Sequence, residues 1–168
     1  MTGTGERSTY LDSSAIVKRY VAEEGSDQAK EEFRRAYAGE HVLAYSVWNI
    51  GEVLGALDRA RSVKRLAEDD YRLARGRFIG ETRRMVRHRM ASVFALKIDI
   101  IDESWKILES AHICQADALQ LATAKAAEAA RFLTGDERLH AEALKLGLNS
   151  ALLGTRRERQ RSRSKSGG

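Results

Sequence analysis

Thr9-Tyr10-Leu11-Asp12-Ser13-Ser14-Ala15-Ile16-Val17-Lys18-Arg19-Tyr20-Val21 changes its period part-way. Thr9 to Leu11 is a short extended run that stops at Asp12. From there the apolar positions Ile16, Val17, Tyr20 and Val21 recur at helical spacing. Ser13 or Ser14 is the predicted cap of this helix and Gly25 its predicted stop. A strand running straight into a helix is the opening half of a β–α unit.

The rest of the chain repeats that unit. Ser26 opens a predicted helix toward Ala38, His41 to Tyr45 reads as a strand, and Ser46 caps a third helix that carries Glu52. Ala67 to about Met90 reads as a long charged helix, with Gly76 and Gly80 as candidate breaks, and forms a helical hairpin with its predecessor. Val93 to Ile101 is rich in β-branched residues and reads as a strand, followed by a helix from Asp102 to Ala111. The Ala-rich run Ala116 to Ala130 predicts a helix on propensity. Arg131 to Thr134 is then a strand, Glu137 to Leu146 a helix ended by Gly147, and Ser150 to Leu153 the last strand. Such alternation predicts an α/β fold of three α/β/α layers, with a short central parallel sheet covered on both faces. In sheets of that kind ligands bind beyond the carboxyl ends of the strands.

Carboxylates fall where that rule places a ligand. Asp12 follows the first strand, Asp136 follows Arg131 to Thr134 after Gly135, and Glu52 and Asp117 lie in early turns of helices. Three of them are solitary charges: Asp12 between Ser8 and Val17, Glu52 between His41 and Leu57, Asp117 between Ser110 and Ala124. An unpaired carboxylate withdrawn from water is costly, so three of them in apolar segments imply a shared cation. Oxygen donors without clustered His or Cys suit magnesium or manganese better than zinc. Each residue also has an ordinary reading. Asp12 can be a plain helix cap, and Asp117 can simply favour a helix start. Glu52 can face solvent opposite the stripe Val47, Ile50, Leu54 and Leu57, and Asp136 beside Glu137 can be part of a turn.

At 168 residues and 43% hydrophobic content the chain supports one domain with a core. The single Cys114 excludes an internal disulfide framework and fits a reducing compartment. No run of eighteen apolar residues is present, and Met1 to Glu6 lacks the charged-then-apolar pattern of a signal peptide, so the expected location is the cytoplasm. The net charge of +5 is unevenly placed. Arg156 to Lys165 holds six basic residues and one Glu, and Asp58 to Arg89 holds eleven basic and five acidic. The remainder, with the four carboxylates, is net acidic. An acidic pocket beside a basic segment is what metal-dependent work on a polyanion needs.

Four segments then carry a resemblance: Tyr10-Leu11-Asp12-Ser13-Ser14-Ala15-Ile16-Val17-Lys18, Glu52-Val53-Leu54-Gly55-Ala56-Leu57, Ala116-Asp117-Ala118-Leu119-Gln120-Leu121-Ala122-Thr123-Ala124 and Thr134-Gly135-Asp136-Glu137-Arg138-Leu139. In order and spacing they resemble the signature blocks of PIN-domain ribonucleases, most closely the VapC-type toxins of toxin–antitoxin modules. The resemblance implies a PIN-like domain over 9–154, with an extension at 1–8 and a basic tail at 155–168 expected to be disordered. It assigns Asp12, Glu52, Asp117 and Asp136 to a catalytic, metal-binding quartet for Mg2+ or Mn2+, with Thr134 as a polar helper. It also implies an RNA substrate cleaved to a 5′-phosphate and a 3′-hydroxyl, a small antitoxin as partner, and a homodimer. The chain departs from the family pattern at Gln120, where His is frequent, and at Gly135, where a larger residue is frequent.

Other readings fare less well. A haloacid-dehalogenase-type phosphatase needs a second Asp two residues after the first, and Ser14 stands there. A non-catalytic RNA-binding module has no use for solitary carboxylates in apolar segments. A PIN-type nuclease of RNA maturation usually carries a further metal-ribbon or targeting domain. His41, His88, His112 and His140 show no ligand spacing and read as structural or surface residues, Trp48 and Trp105 as core or interface, and Cys114 as core packing.

Overall fold

The computed structural model describes residues 8–154; the predicted tail, and all of the predicted extension but Ser8, lie outside the described residues. The elements run β1 (Ser8–Leu11), α1 (Ser13–Tyr20), α2 (Ser26–Tyr37), β2 (Val42–Ser46), α3 (Val47–Ser62) and α4 (Glu68–Arg87). They continue with β3 (Ala91–Phe94), α5 (Ile98–Ala111), α6 (Gln115–Ala126), β4 (Arg131–Thr134), α7 (Glu137–Lys145) and β5 (Ser150–Leu152). The five strands form one sheet in the order β3-β2-β1-β4-β5, and every neighbouring pair is parallel.

Alternation along the central strands sorts the side chains into two cores. Tyr10 lies beside Ala44 and Phe132 in the register, and all three point to the face covered by α5, α6 and α7. There they meet Ile100, Ile107, Leu121, Leu139 and Ala143, and the Tyr10 and Phe132 rings stack with centroids 5.7 Å apart. Leu11, Leu43, Tyr45 and Leu133 point to the opposite face, against Ile16, Phe33, Val53, Leu57, Phe78 and Met85 of α1 to α4. Successive residues of a strand face opposite ways, so a buried two-faced strand reads as continuous apolar sequence. Each fully buried large side chain contributes about 1.5–3 kcal/mol relative to exposure. The three-layer α/β/α arrangement is therefore as the alternation predicted.

Three local expectations are corrected. The strand predicted across Val93 to Ile101 ends at Phe94, and Ile98 already opens α5. Ile100, Ser104 and Ile107 are the buried positions of that helix, so the helical period overrides the β-branched run, and Asp99 suits its first turn. Helix α4 passes Gly76 and Gly80 without a break, because both are exposed and tertiary packing holds the helix through Ala74, Phe78, Glu81 and Met85. Asp12, rather than Ser13 or Ser14, caps α1, since its carboxylate accepts from the Ala15 N–H at 2.8 Å.

The strand order sets the position of any ligand site. From β1 the chain moves to β2 and β3 on one side, then crosses back through α5 and α6 to β4 and β5 on the other. The connections leaving β1 and β4 consequently diverge, opening a crevice beyond their carboxyl ends. Asp12 and the turn Thr134-Gly135-Asp136 are the residues at that crevice.

Candidate active site

Asp12 is 4% exposed, on a backbone held to β4 by its N–H donating to the Leu133 carbonyl at 3.0 Å. Three groups donate to its carboxylate: the Ala15 N–H, the Ser14 hydroxyl at 2.7 and 2.9 Å, and the Thr134 hydroxyl at 2.8 Å. Burial pushes the Asp12 pKa up to about 6; those hydrogen bonds pull against it, and the Asp136 charge adds to the rise. Its charged form is thus held by three donors yet still disfavoured by burial, a cost that a bound cation would relieve.

Thr134 connects the two strand ends. Its hydroxyl donates to Asp12 while accepting from the Asp136 N–H at 2.9 Å. Asp136 is exposed and caps α7, one carboxylate oxygen accepting from the Leu139 N–H at 2.9 Å. Ser14 closes the other side by accepting the Gly135 N–H at 2.7 Å. A Cβ at position 135 would overlap Lys18 Cε, so the glycine makes room for that side chain. Lys18 is in turn held by Glu23 Oε1 at 3.1 Å and the Glu24 carbonyl at 2.8 Å.

Glu52 is half-buried on α3. The predicted stripe was rotated by about one residue: the buried positions of α3 are Asn49, Val53, Leu57 and Ala60, with Val47 exposed. That rotation turns Glu52 from the solvent side to the crevice rim. Its Oε2 accepts from the Ser13 hydroxyl and from Gln120 Nε2. Beneath it lies a polar cluster that sequence reasoning missed. Asn49, fully buried, donates to the Leu11 carbonyl, to Ser13 Oγ and to Gln120 Oε1, and its own Oδ1 accepts from Tyr10, Ser46 N and Ser46 Oγ. The only signal was an amide placed among apolar residues on the core side of α3. Gln120 stands on α6 one turn beyond Asp117, which is half-buried.

The four predicted carboxylates are therefore drawn toward one edge without being gathered at one point. Among the described residues no three of the His, Cys, Asp and Glu side chains stand together closely enough to hold an ion. Asp12 and Asp136 feel each other's charge, Glu52 is turned to Ser13 and Gln120, and Asp117 lies on the helix that brings Gln120 in. The donor set nevertheless fits a hard cation, because carboxylates and the Ser13, Ser14 and Thr134 hydroxyls supply oxygen only.

Other sequence readings resolve differently. Cys114 is exposed at the N-cap of α6 rather than packed in the core, because Ile113 takes the buried place in that turn. Trp48 and Trp105 are 42% and 52% exposed and so are not core residues. His41 is buried 3.6 Å from Glu32, a structural setting. No described helix is long and apolar enough to cross a membrane.

The PIN domain family model matches residues 9–143, and the chain belongs to that family. Comparison with solved structures agrees on the fold. PAE2754 from Pyrobaculum aerophilum superposes with a TM-score of 0.59 at 16% identity, covering 84% of this chain and 83% of that one. VapC20 of Mycobacterium tuberculosis, a sarcin-ricin loop cleaving toxin, gives 0.56 at 16% identity, covering 79% and 93%. No curated protein matches the chain.

Proposed function

We propose that this chain is a magnesium- or manganese-dependent endoribonuclease acting in the cytoplasm as the toxin of a toxin–antitoxin pair. Asp12, Glu52, Asp117 and Asp136 are its catalytic and metal-binding carboxylates. One observation carries the reading: a buried, donor-rich Asp12 beside Asp136 at the point where the strand order reverses. Membership of the PIN family and the fold shared with the VapC20 toxin support it. The same resemblance supports a small antitoxin as partner, a homodimer, and a nuclease domain spanning 9–154 followed by the basic tail.

The chain's own groups prepare the site. Ala15, Ser14 and Thr134 fix the orientation of the Asp12 carboxylate, while capping leaves Asp136 one oxygen free of the α7 backbone. Asn49 and Gln120 hold Ser13 and Glu52 at the rim. The N-termini of α1 and α7 both open on the crevice, and their dipoles favour an anionic phosphate there. A bound divalent ion would polarise the scissile phosphate and acidify an attacking water. Asp12, Glu52, Asp117 and Asp136 would supply its oxygen ligands.

Incubating the purified chain with RNA across a magnesium or manganese titration tests the proposal. Cleavage should require the ion, stop on chelation, and yield 5′-phosphate ends. Cleavage that persists in excess chelator would refute it.

A further inference from the structure

A second cationic feature lies away from the crevice, on the flank where α1 meets α4. Arg19, Arg77, Gly80, Glu81 and Arg84 line a cavity of about 370 Å³. Glu81 is its only acid and is only 8% exposed. Its carboxylate accepts from Arg19 Nε at 3.2 Å, Arg19 Nη2 at 3.0 Å, the Tyr20 hydroxyl at 2.8 Å and the Tyr37 hydroxyl at 2.9 Å. Burial raises the Glu81 pKa, but these donors outweigh it and hold the carboxyl below its ordinary value. Glu81 is therefore ionised and saturated.

Three arginines against one saturated carboxylate leave the cavity with two uncompensated positive charges. The guanidinium of Arg19 is pinned by two bonds to Glu81, and that of Arg84 donates to the Tyr37 hydroxyl at 2.9 Å and lies over its ring. Arg77 is exposed and has no hydrogen-bonding or ionic partner among the described residues. Arg19 keeps Nη1, and Arg84 its other nitrogens, free of these contacts, and guanidiniums already held in place lose little freedom on binding a phosphate. Gly80, one turn from both Arg77 and Arg84, has nothing within 4 Å of where a Cβ would lie, so it leaves the concavity open between them.

We propose that this cavity is a phosphate-binding subsite that holds the RNA backbone away from the scissile bond. The inference rests on the nuclease reading above and extends it to a place on the molecule. Arg19 lies seven residues beyond Asp12 along α1, about 10 Å of helix rise, a separation that a few nucleotides of backbone cover. Cavity and crevice thus lie at the two ends of one short helix, close enough together for one RNA strand to reach both. Glu81 serves as the template that aims Arg19 and, through Tyr37, Arg84.

The test uses a mixed-sequence single-stranded RNA oligonucleotide as probe, with the full chain, in chelator so that no cleavage occurs. Arg77→Gln should weaken binding at low salt and reduce the steepness of log K against log salt by about 0.7, the share of one phosphate contact. Gly80→Glu keeps every arginine and meets open space, yet should weaken binding at least as much by filling and neutralising the concavity. With metal present, both variants should raise KM for a long RNA and leave cleavage of one trimmed to a few nucleotides unchanged. Wild-type salt dependence in both variants would overturn the subsite while leaving the nuclease reading intact. Loss of poly-glutamate binding with RNA binding unchanged would overturn it in favour of an acidic protein segment. If the wild-type chain neither bound nor cleaved RNA, the nuclease reading itself would fall.

Discussion

Replacing Asp12 with Asn should stabilise the metal-free protein, and by an amount that depends on pH. Asp12 is buried, and its pKa rises from an ordinary 3.8 to about 6 in the folded chain. A carboxyl whose folded pKa is raised binds its proton more tightly when folded, so the wild type loses stability as pH climbs from about 4 through 6. At 1.36 kcal/mol per tenfold change in the constant, the full loss above pH 6 is about 3 kcal/mol. Asparagine caps helices as well as aspartate and still offers an oxygen to Ala15 N–H, so it keeps the cap while removing the charge. The variant should equal the wild type at pH 3.5 and exceed it by up to about 3 kcal/mol at pH 8 in chelator, a melting shift of roughly 6–12 °C. Urea unfolding at several pH values measures this directly. A stability difference that does not change with pH, or a variant less stable than the wild type at pH 8, would rule out a raised Asp12 pKa in the fold.

Further outcomes follow from other contacts. Asn49→Ala leaves Tyr10, Ser13 and Gln120 short of partners in the core, and should cost about 2–3 kcal/mol in denaturant unfolding while loosening Glu52. Glu81→Gln should cost about 3 kcal/mol near neutral pH by leaving the partly buried Arg19 without its counter-charge. Because the folded Glu81 pKa is lowered, the wild type's advantage over this variant is present above the ordinary carboxylate pKa and should fade as pH falls through the folded value. Gly135→Ala should fold, since the overlapping atom belongs to a flexible lysine side chain, but should free Lys18 from Glu23, seen as a melting change of no more than a few degrees.

Much of the fold was legible because the periods of the chain are unambiguous where burial is two-sided. Thr9 to Leu11 and Arg131 to Thr134 lie in strands as read, and the glycine stops hold at Gly39 and Gly147, both at positive φ, whereas α1 already ends at Tyr20 and Gly25 is instead the N-cap of α2. The misreading at Ile98 to Ile101 arose because β-branched residues satisfy either period until their buried partners on α5 are known. Of the candidate site, Asp12 and Asp136 were legible from strand ends alone. Glu52 was ambiguous because the stripe on α3 includes Asn49, an amide that counts as polar in sequence and is fully buried in the fold. The Arg19–Glu81 pair joins residues 62 positions apart, which no local pattern reveals.

Calorimetric titration of manganese into the wild-type chain, Asp12→Asn and Asp136→Asn decides whether Asp12 and its neighbours form a divalent-cation site. Bound ion should also raise the wild-type melting temperature, with about 2.7 kcal/mol of added stability at a hundred times Kd. The wild type should bind the ion saturably, and both variants should remain folded while losing binding or weakening it severely. Equal manganese binding by all three proteins, or none by the wild type at millimolar ion, would contradict such a site.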